Sequence, residues 1–314
     1  MLNNWLESYV VEVYADWSQH LVVLEQVLIQ IFNVQTMTKS IQILSLFIFV
    51  GLFMFSCNEW EECVALPISE KPTSGRVILI EEFTGAKCPN CPAGTQALEA
   101  ILDKYPDNVV VVGVHSNFLA NPAVTGDPKL SYPEAQAIEN FLGLWVGKPE
   151  AAFNRRKFSN QANIRIGKPD SWNVFVDEEL KLSPAADLFI SRTYDTLTRE
   201  VTVSLRAVGK ENISKAMHMH VMITESNIFT TQESSTGNIP NYNQKHVLRK
   251  VITPIPGEKI ADQIEKGKEY KKEYKYTLPT DAVLWKDSNC SIVAYLSFDE
   301  TDKYVIQATE IKVK

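Results

Sequence analysis

The sequence predicts an α/β domain over residues 76–183 followed by an all-β sandwich of immunoglobulin-like type over residues 184–314. Two patterns carry this. Up to residue 183, continuous β-branched runs alternate with helix-period segments; beyond it, apolar residues recur at every second position. The length of 314 residues leaves room for two separate cores.

Residues 1–36 contain Glu7, Glu12, Asp16 and Glu25 and not one Lys or Arg. An acidic, apolar stretch is wrong for export, so a start at Met37 with a non-native upstream extension is expected; an amphipathic helix is the competing reading. From Met37, "MTKS" precedes the apolar "IQILSLFIFVGLFMFS" and then Cys57. Basic segment, short apolar core and cysteine follow one another as in a bacterial lipoprotein signal, placing the signal at 37–56 and a lipid on Cys57. Phe55 is bulky for that motif, and an uncleaved anchor or a simple secretory signal are the other readings. Residues 57–75, with Pro67 and Pro72, read as a tether. A net charge of −7 with no basic block excludes nucleic acid as a partner class.

"RVILIEEF" and "NVVVVGVHS" have the composition of strands covered on both faces. Between them "PAGTQALEAILDKY" sets Ala97, Leu98, Ile101, Leu102 and Tyr105 on one helical face, giving a βαβ unit. Further helices are expected in "YPEAQAIENFLGLW" and "SWNVFVDEELKL". Beyond residue 183, "EVTVSLRAV" alternates Val201, Val203, Leu205 and Ala207 with polar residues. "ADLFISRTY", "AMHMHVMITES", "HVLRKVI", "KEYKYTL", "CSIVAYLSF" and "KYVIQATEIKV" behave similarly, about seven strands in all. "KEYKKEYKY" suits an edge strand guarded by lysines, and "ESNIFTTQESSTGNIPNYNQ" reads as a long polar loop.

Of the five cysteines only Cys88 and Cys91 are close in sequence. Such a pair serves redox exchange, half a zinc site, or a structural staple. Zinc needs a second pair, which Cys63 and Cys290 do not form, and haem attachment needs His where Pro92 stands. A two-residue spacer closes too small a loop to stabilise much, although a purely structural disulfide stays open. The redox reading fits best. The pair follows a strand and opens a helix, so Cys88 meets free N–H groups at the positive helix end, with Lys87 adding positive charge. Cys88 is then the exposed nucleophile, Cys91 the shielded resolving thiol, and Pro89 the first helical residue. Export favours a disulfide at rest. His115, ending the second strand, is placed to tune the cysteines or else caps a loop. His218, His220 and His246 invite a metal reading, which a solvated strand face explains equally well; no metal and no cofactor are expected. Cys290 reads as a small buried hydrophobe, and Cys63 as a free thiol or an intermolecular partner.

"EEFTGAKCPNCPAG" resembles a thioredoxin-fold active site, with Glu82 where that family has a buried acid serving the resolving thiol. "VGKPEAAFNR" is similar to the family's cis-proline segment, which implies a cis Lys148–Pro149 bond and a peptide-binding backbone beside the cysteines. Ala86-Lys87 and Pro92 depart from the family pattern. With the signal, "VHSNF", "GKPEAAFNRR" and an all-β C-terminal half, residues 37–314 resemble the outer-membrane-protein-28-related lipoproteins, most strongly over 79–156. The resemblance implies a lipid-anchored protein of the cell envelope, at the outer membrane. Two functions follow as expectations: thiol–disulfide exchange on exported proteins, or a non-catalytic surface lipoprotein whose sandwich binds an unidentified partner.

Overall fold

The computed structural model describes residues 71–72, 75–143, 147–281 and 283–314. The expected signal, Cys57 and Cys63 lie outside them. The chain divides into two compact units, residues Met1–Val64 and Ala65–Lys314, and all described residues belong to the second.

That unit is mostly β. In order it comprises β1 (Lys71–Pro72), β2 (Ile78–Thr84), α1 (Cys91–Lys104), β3 (Val109–His115), α2 (Pro133–Leu142), β4 (Glu150–Phe153), β5 (Arg165–Ile166) and α3 (Trp172–Glu179). Then follow β6 (Ala186–Tyr194), β7 (Glu200–Gly209), β8 (Met217–Glu225), β9 (Ile228–Ser234), β10 (Gly237–Gln244), β11 (Val247–Val251), β12 (Glu258–Ala261), β13 (Glu269–Thr277), β14 (Cys290–Ser297) and β15 (Val305–Lys312).

The three expected helices and the β-branched and alternating strands form where their periodicity places them. β2 and β3 pair in parallel across α1, and β4 adds antiparallel to β2. Period two decides what each β2 residue meets. Leu79 and Phe83 pack with Ile138 and Leu142 of α2, whereas Ile78 and Ile80 pack with Leu98 and Ile101 of α1 and Phe175 of α3. Glu81 and Glu82, adjacent in sequence, therefore face opposite sides of the sheet.

This sheet does not stop at residue 183. Its order is β15-β14-β8-β11-β3-β2-β4-β5, with β12 pairing β8, so strands from both halves share one hydrogen-bonded layer. The join is the parallel contact of β11 with β3 at Val247 and Gly113. A second sheet, β1-β6-β7-β13, shares a core with β8 and β14 through Leu188, Val203, Leu205, Val221, Ile223 and Ile292. β13 lies at the edge of that sheet, with Lys271 and Lys275 on its exposed face.

Two expectations are corrected. The polar stretch taken as a long loop is a hairpin, β9–β10, paired from Ile228–Gln244 to Ser234–Gly237. Backbone pairing with a Gly237 turn needs no apolar periodicity, which is why the sequence pattern concealed it. β8 has no solvated face. It lies inside the sheet and is covered on both sides, so His220 is fully buried and stacked on Tyr295 with ring centroids 4.2 Å apart.

Candidate functional site

β2 delivers the chain to the cysteines at Thr84, and residues 85–90 turn it into α1. Cys88 and Cys91 are disulfide-bonded, with Cα atoms 5.3 Å apart. The turn closes on itself: the Cys88 amide donates to Gly85 O at 3.0 Å and the Cys91 amide to Cys88 O at 3.1 Å. The helix therefore begins at Cys91, with Asn90 as its N-cap, rather than at Pro89. Pro92 sits in the first turn, where a missing N–H costs no hydrogen bond. Both cysteines therefore lie at the positive end of α1, Cys91 as its first residue and Cys88 in the turn that leads into it. Lys87 is half-buried beside Cys88, its amide donating to Leu119 O at 2.8 Å.

Glu82 lies below the pair. A Cβ on Gly94 would fall 2.8 Å from both Glu82 Oε1 and Pro149 Cβ. Glycine at this position lets the carboxyl and the proline ring press on α1 one turn after Cys91. Glu82 Oε1 is buried with no hydrogen-bond partner, and burial pushes its pKa up to about 8 although the nearby Lys148 ammonium opposes this. Glu82 is therefore protonated at neutral pH. The Lys148–Pro149 peptide bond is cis.

The Lys148 side chain turns into the protein. Its ammonium donates to Ser116 O and Ser116 Oγ at 2.8 Å and to Thr84 O at 3.2 Å, and lies 3.7 Å from Glu139 Oε2. Burial lowers its pKa to about 8. These bonds hold the C-terminal ends of β2 and β3 together beneath the site.

His115 is buried and neutral: burial lowers its pKa to about 4, with Nε2 3.4 Å from Gln244 Oε1. It reaches the cysteine loop only through a chain of amides. Gln244 Nε2 donates to Gln232 Oε1 at 3.1 Å, and Gln232 Nε2 donates to Gly85 O at 3.0 Å and Cys88 O at 3.1 Å.

That chain belongs to the hairpin, and it accounts for a further correction. Cys88, expected to be exposed, is 1% exposed, as is Cys91. β9 lies over the loop, with the Glu233 amide donating to Ala86 O at 2.8 Å. Beside it Glu82, Thr95, His115, Tyr242 and Gln244 line a common cleft. Gln232, Tyr242 and Gln244 were missed by the sequence reading; polar residues in a polar stretch carry no signal that they cover anything.

The other candidates form no site. Among the described residues no group of three or more His, Cys, Asp or Glu is arranged to hold a metal. His218 Nδ1 bonds Pro256 O at 2.9 Å, and His220 Nε2 bonds Ser297 Oγ at 2.8 Å. Cys290 is a buried free thiol whose pKa burial raises to about 12.

A family model described as outer membrane protein Omp28 matches residues 135–314, more than half of the chain. Among solved structures, HBP35 of Porphyromonas gingivalis superimposes with a TM-score of 0.59 at 17% identity, over 76% of this chain and 75% of that one. A structural-genomics protein of Agrobacterium tumefaciens gives a TM-score of 0.44 at 16% identity, over 76% of this chain and 96% of that one. The comparison with curated proteins gives no match.

Proposed function

Because the chain belongs to the outer membrane protein Omp28 family, we propose that it works at the cell envelope and that residues 76–183 act there as a thioredoxin-like exchanger of thiols and disulfides on exported proteins. Lipid on Cys57 would hold it at the membrane; the intact mass of the membrane-extracted protein tests this, and a mature chain retaining residues 1–36 would contradict it.

One observation supports exchange above all. The disulfide, the helix N-terminus, the orphaned Glu82 carboxyl and Pro149 converge within one turn of α1. A substrate thiolate attacks Cys88 Sγ, forming a mixed disulfide as the Cys88–Cys91 bond breaks. Cys91 leaves as a thiolate, stabilised at the helix N-terminus and protonated by Glu82. A second substrate thiolate attacks the substrate sulfur, releasing Cys88 as a thiolate. Two electrons have then passed from the substrate dithiol to the protein. In the reverse direction Glu82 accepts the Cys91 proton, and Cys91 resolves the mixed disulfide.

Cys91→Ser should trap mixed disulfides through Cys88, and Cys88→Ser should trap almost none. If alkylation of the reduced protein labels Cys91 before Cys88, the exchange reading fails. The alternative, a non-catalytic envelope protein with the pair as a staple and the sandwich binding a partner, has the near-complete burial of Cys88 in its favour.

A further inference from the structure

We propose that the β9–β10 hairpin is a hinged cap that covers the disulfide and must lift before Cys88 meets a protein partner. The inference deepens the exchange reading and rests on it for its purpose.

Among the described residues the hairpin is a sheet of its own, its strands laddered to no other strand. It grows out of the end of the β8–β11 pair. Glu225 and Val247 are the last partners there, and Ile228 and Gln244 the first partners of the arm. Two residues on each strand separate the pairs. Each of these short links contains a left-handed residue, Asn227 at φ +57° and His246 at φ +53°, so the arm turns sharply out of the sheet at both feet.

The feet themselves are pinned. The His246 amide donates to Ser226 Oγ at 2.9 Å, and the Gly113 amide donates to His246 O at 2.7 Å. Ile228 at the base of the arm packs into the core, and beyond it the arm is held by polar contacts. These include Gln232 to the Gly85 and Cys88 carbonyls, the Glu233 amide to Ala86 O and the Thr231 amide to Asp127 Oδ2 at 2.7 Å. An exposed ion pair, Lys245–Glu99, adds a further polar tie near the feet. Water replaces such bonds at little net cost, and most of β10 already faces solvent. A two-stranded ribbon held this way is marginal by itself. A pinned base, a polar latch and a buried sulfur at the far end together describe a lid in its closed position.

The test compares full-length wild type with Gln232→Ala and Gln232→Glu; the second sets an acceptor against two carbonyl oxygens. Two rates are read: iodoacetamide labelling of Cys88 in the reduced protein, located by peptide mass, and mixed-disulfide formation by the oxidised protein with an unfolded cysteine-containing polypeptide. Amide hydrogen exchange of residues 85–91 and 228–244 reports opening independently of thiol chemistry. Labelling and exchange should rise about tenfold in Gln232→Ala and further in Gln232→Glu, with mixed-disulfide formation rising in parallel. Faster labelling with no mixed disulfide in any variant upholds the cap and removes the exchange reading. Labelling and hydrogen exchange within twofold of wild type in both variants overturn the cap, whatever the mixed-disulfide assay gives.

Discussion

Glu82 is the residue whose physics most directly bears on the chemistry. Its pKa is raised to about 8 by burial, far above the ordinary 4.5. A carboxyl that stays protonated in the fold but ionises in the unfolded chain costs stability as pH rises. The cost begins near pH 4.5, grows to about pH 8 and is then constant. Glu82→Gln carries no such titration. Its denaturation midpoint should lie near that of wild type at pH 4, and the two should diverge through pH 8 in favour of the variant. The difference should reach ~2 kcal/mol or more. A pH-independent difference would mean that Glu82 is ionised inside the fold. The sequence located Glu82 because its distance from Cys88 matches a known active site. It gave no hint that Lys148, two β-strand ends away, would bury its charge on Ser116 and Thr84. A lysine before a proline looks like any surface lysine until its neighbours are known.

β7 and β13 were legible because one face is buried and one is wet; Val201, Val203, Leu205 and Ala207 are all buried as the alternation requires. Among the described residues β13 pairs only with β7, and on its outward face Lys271 and Lys275 have side chains 69% and 60% exposed. Such charges oppose edge-to-edge pairing with another copy. Lys271→Val combined with Lys275→Val should leave the folded protein's circular dichroism unchanged and raise light scattering on standing. A double variant that stays monodisperse would show that the edge is guarded by something else. The hairpin was illegible for the opposite reason. β10 reads "GNIPNYNQ", exposed along most of its length, and its pairing depends on backbone bonds with a bulge between Ile239 and Tyr242. The burial of β8 was likewise hidden, since alternating His and Met look the same whether the second face meets water or Tyr295.

In the molecule as a whole, one sheet and several buried polar links join what the sequence divides. Arg76 ahead of β2 bonds Glu179 of α3 at 2.8 Å, Tyr304, and the β15 carbonyls of Val305 and Ile306. Arg155 pairs with Glu81 of β2 at 2.7 Å and with Tyr295 of β14 at 2.7 Å. Removing one partner of such a buried pair costs about 3–5 kcal/mol. Local periodicity cannot reveal these connections, because it reports which face of a strand is buried and not which distant strand lies beside it. Residues before and after 183 should consequently unfold in one transition. Hydrogen exchange should give the amides of β2 and β3 the same maximal protection as those of β8 and β14, and two separate protection plateaus would contradict this. The central claim concerns the disulfide, and an equilibrium redox titration of the Cys88–Cys91 pair in the full-length protein tests it most directly. Exchange proteins span about −120 to −270 mV, whereas structural disulfides lie below about −300 mV. A midpoint inside the first range is the predicted result; a pair that stays oxidised below −300 mV would make it a staple and contradict the account.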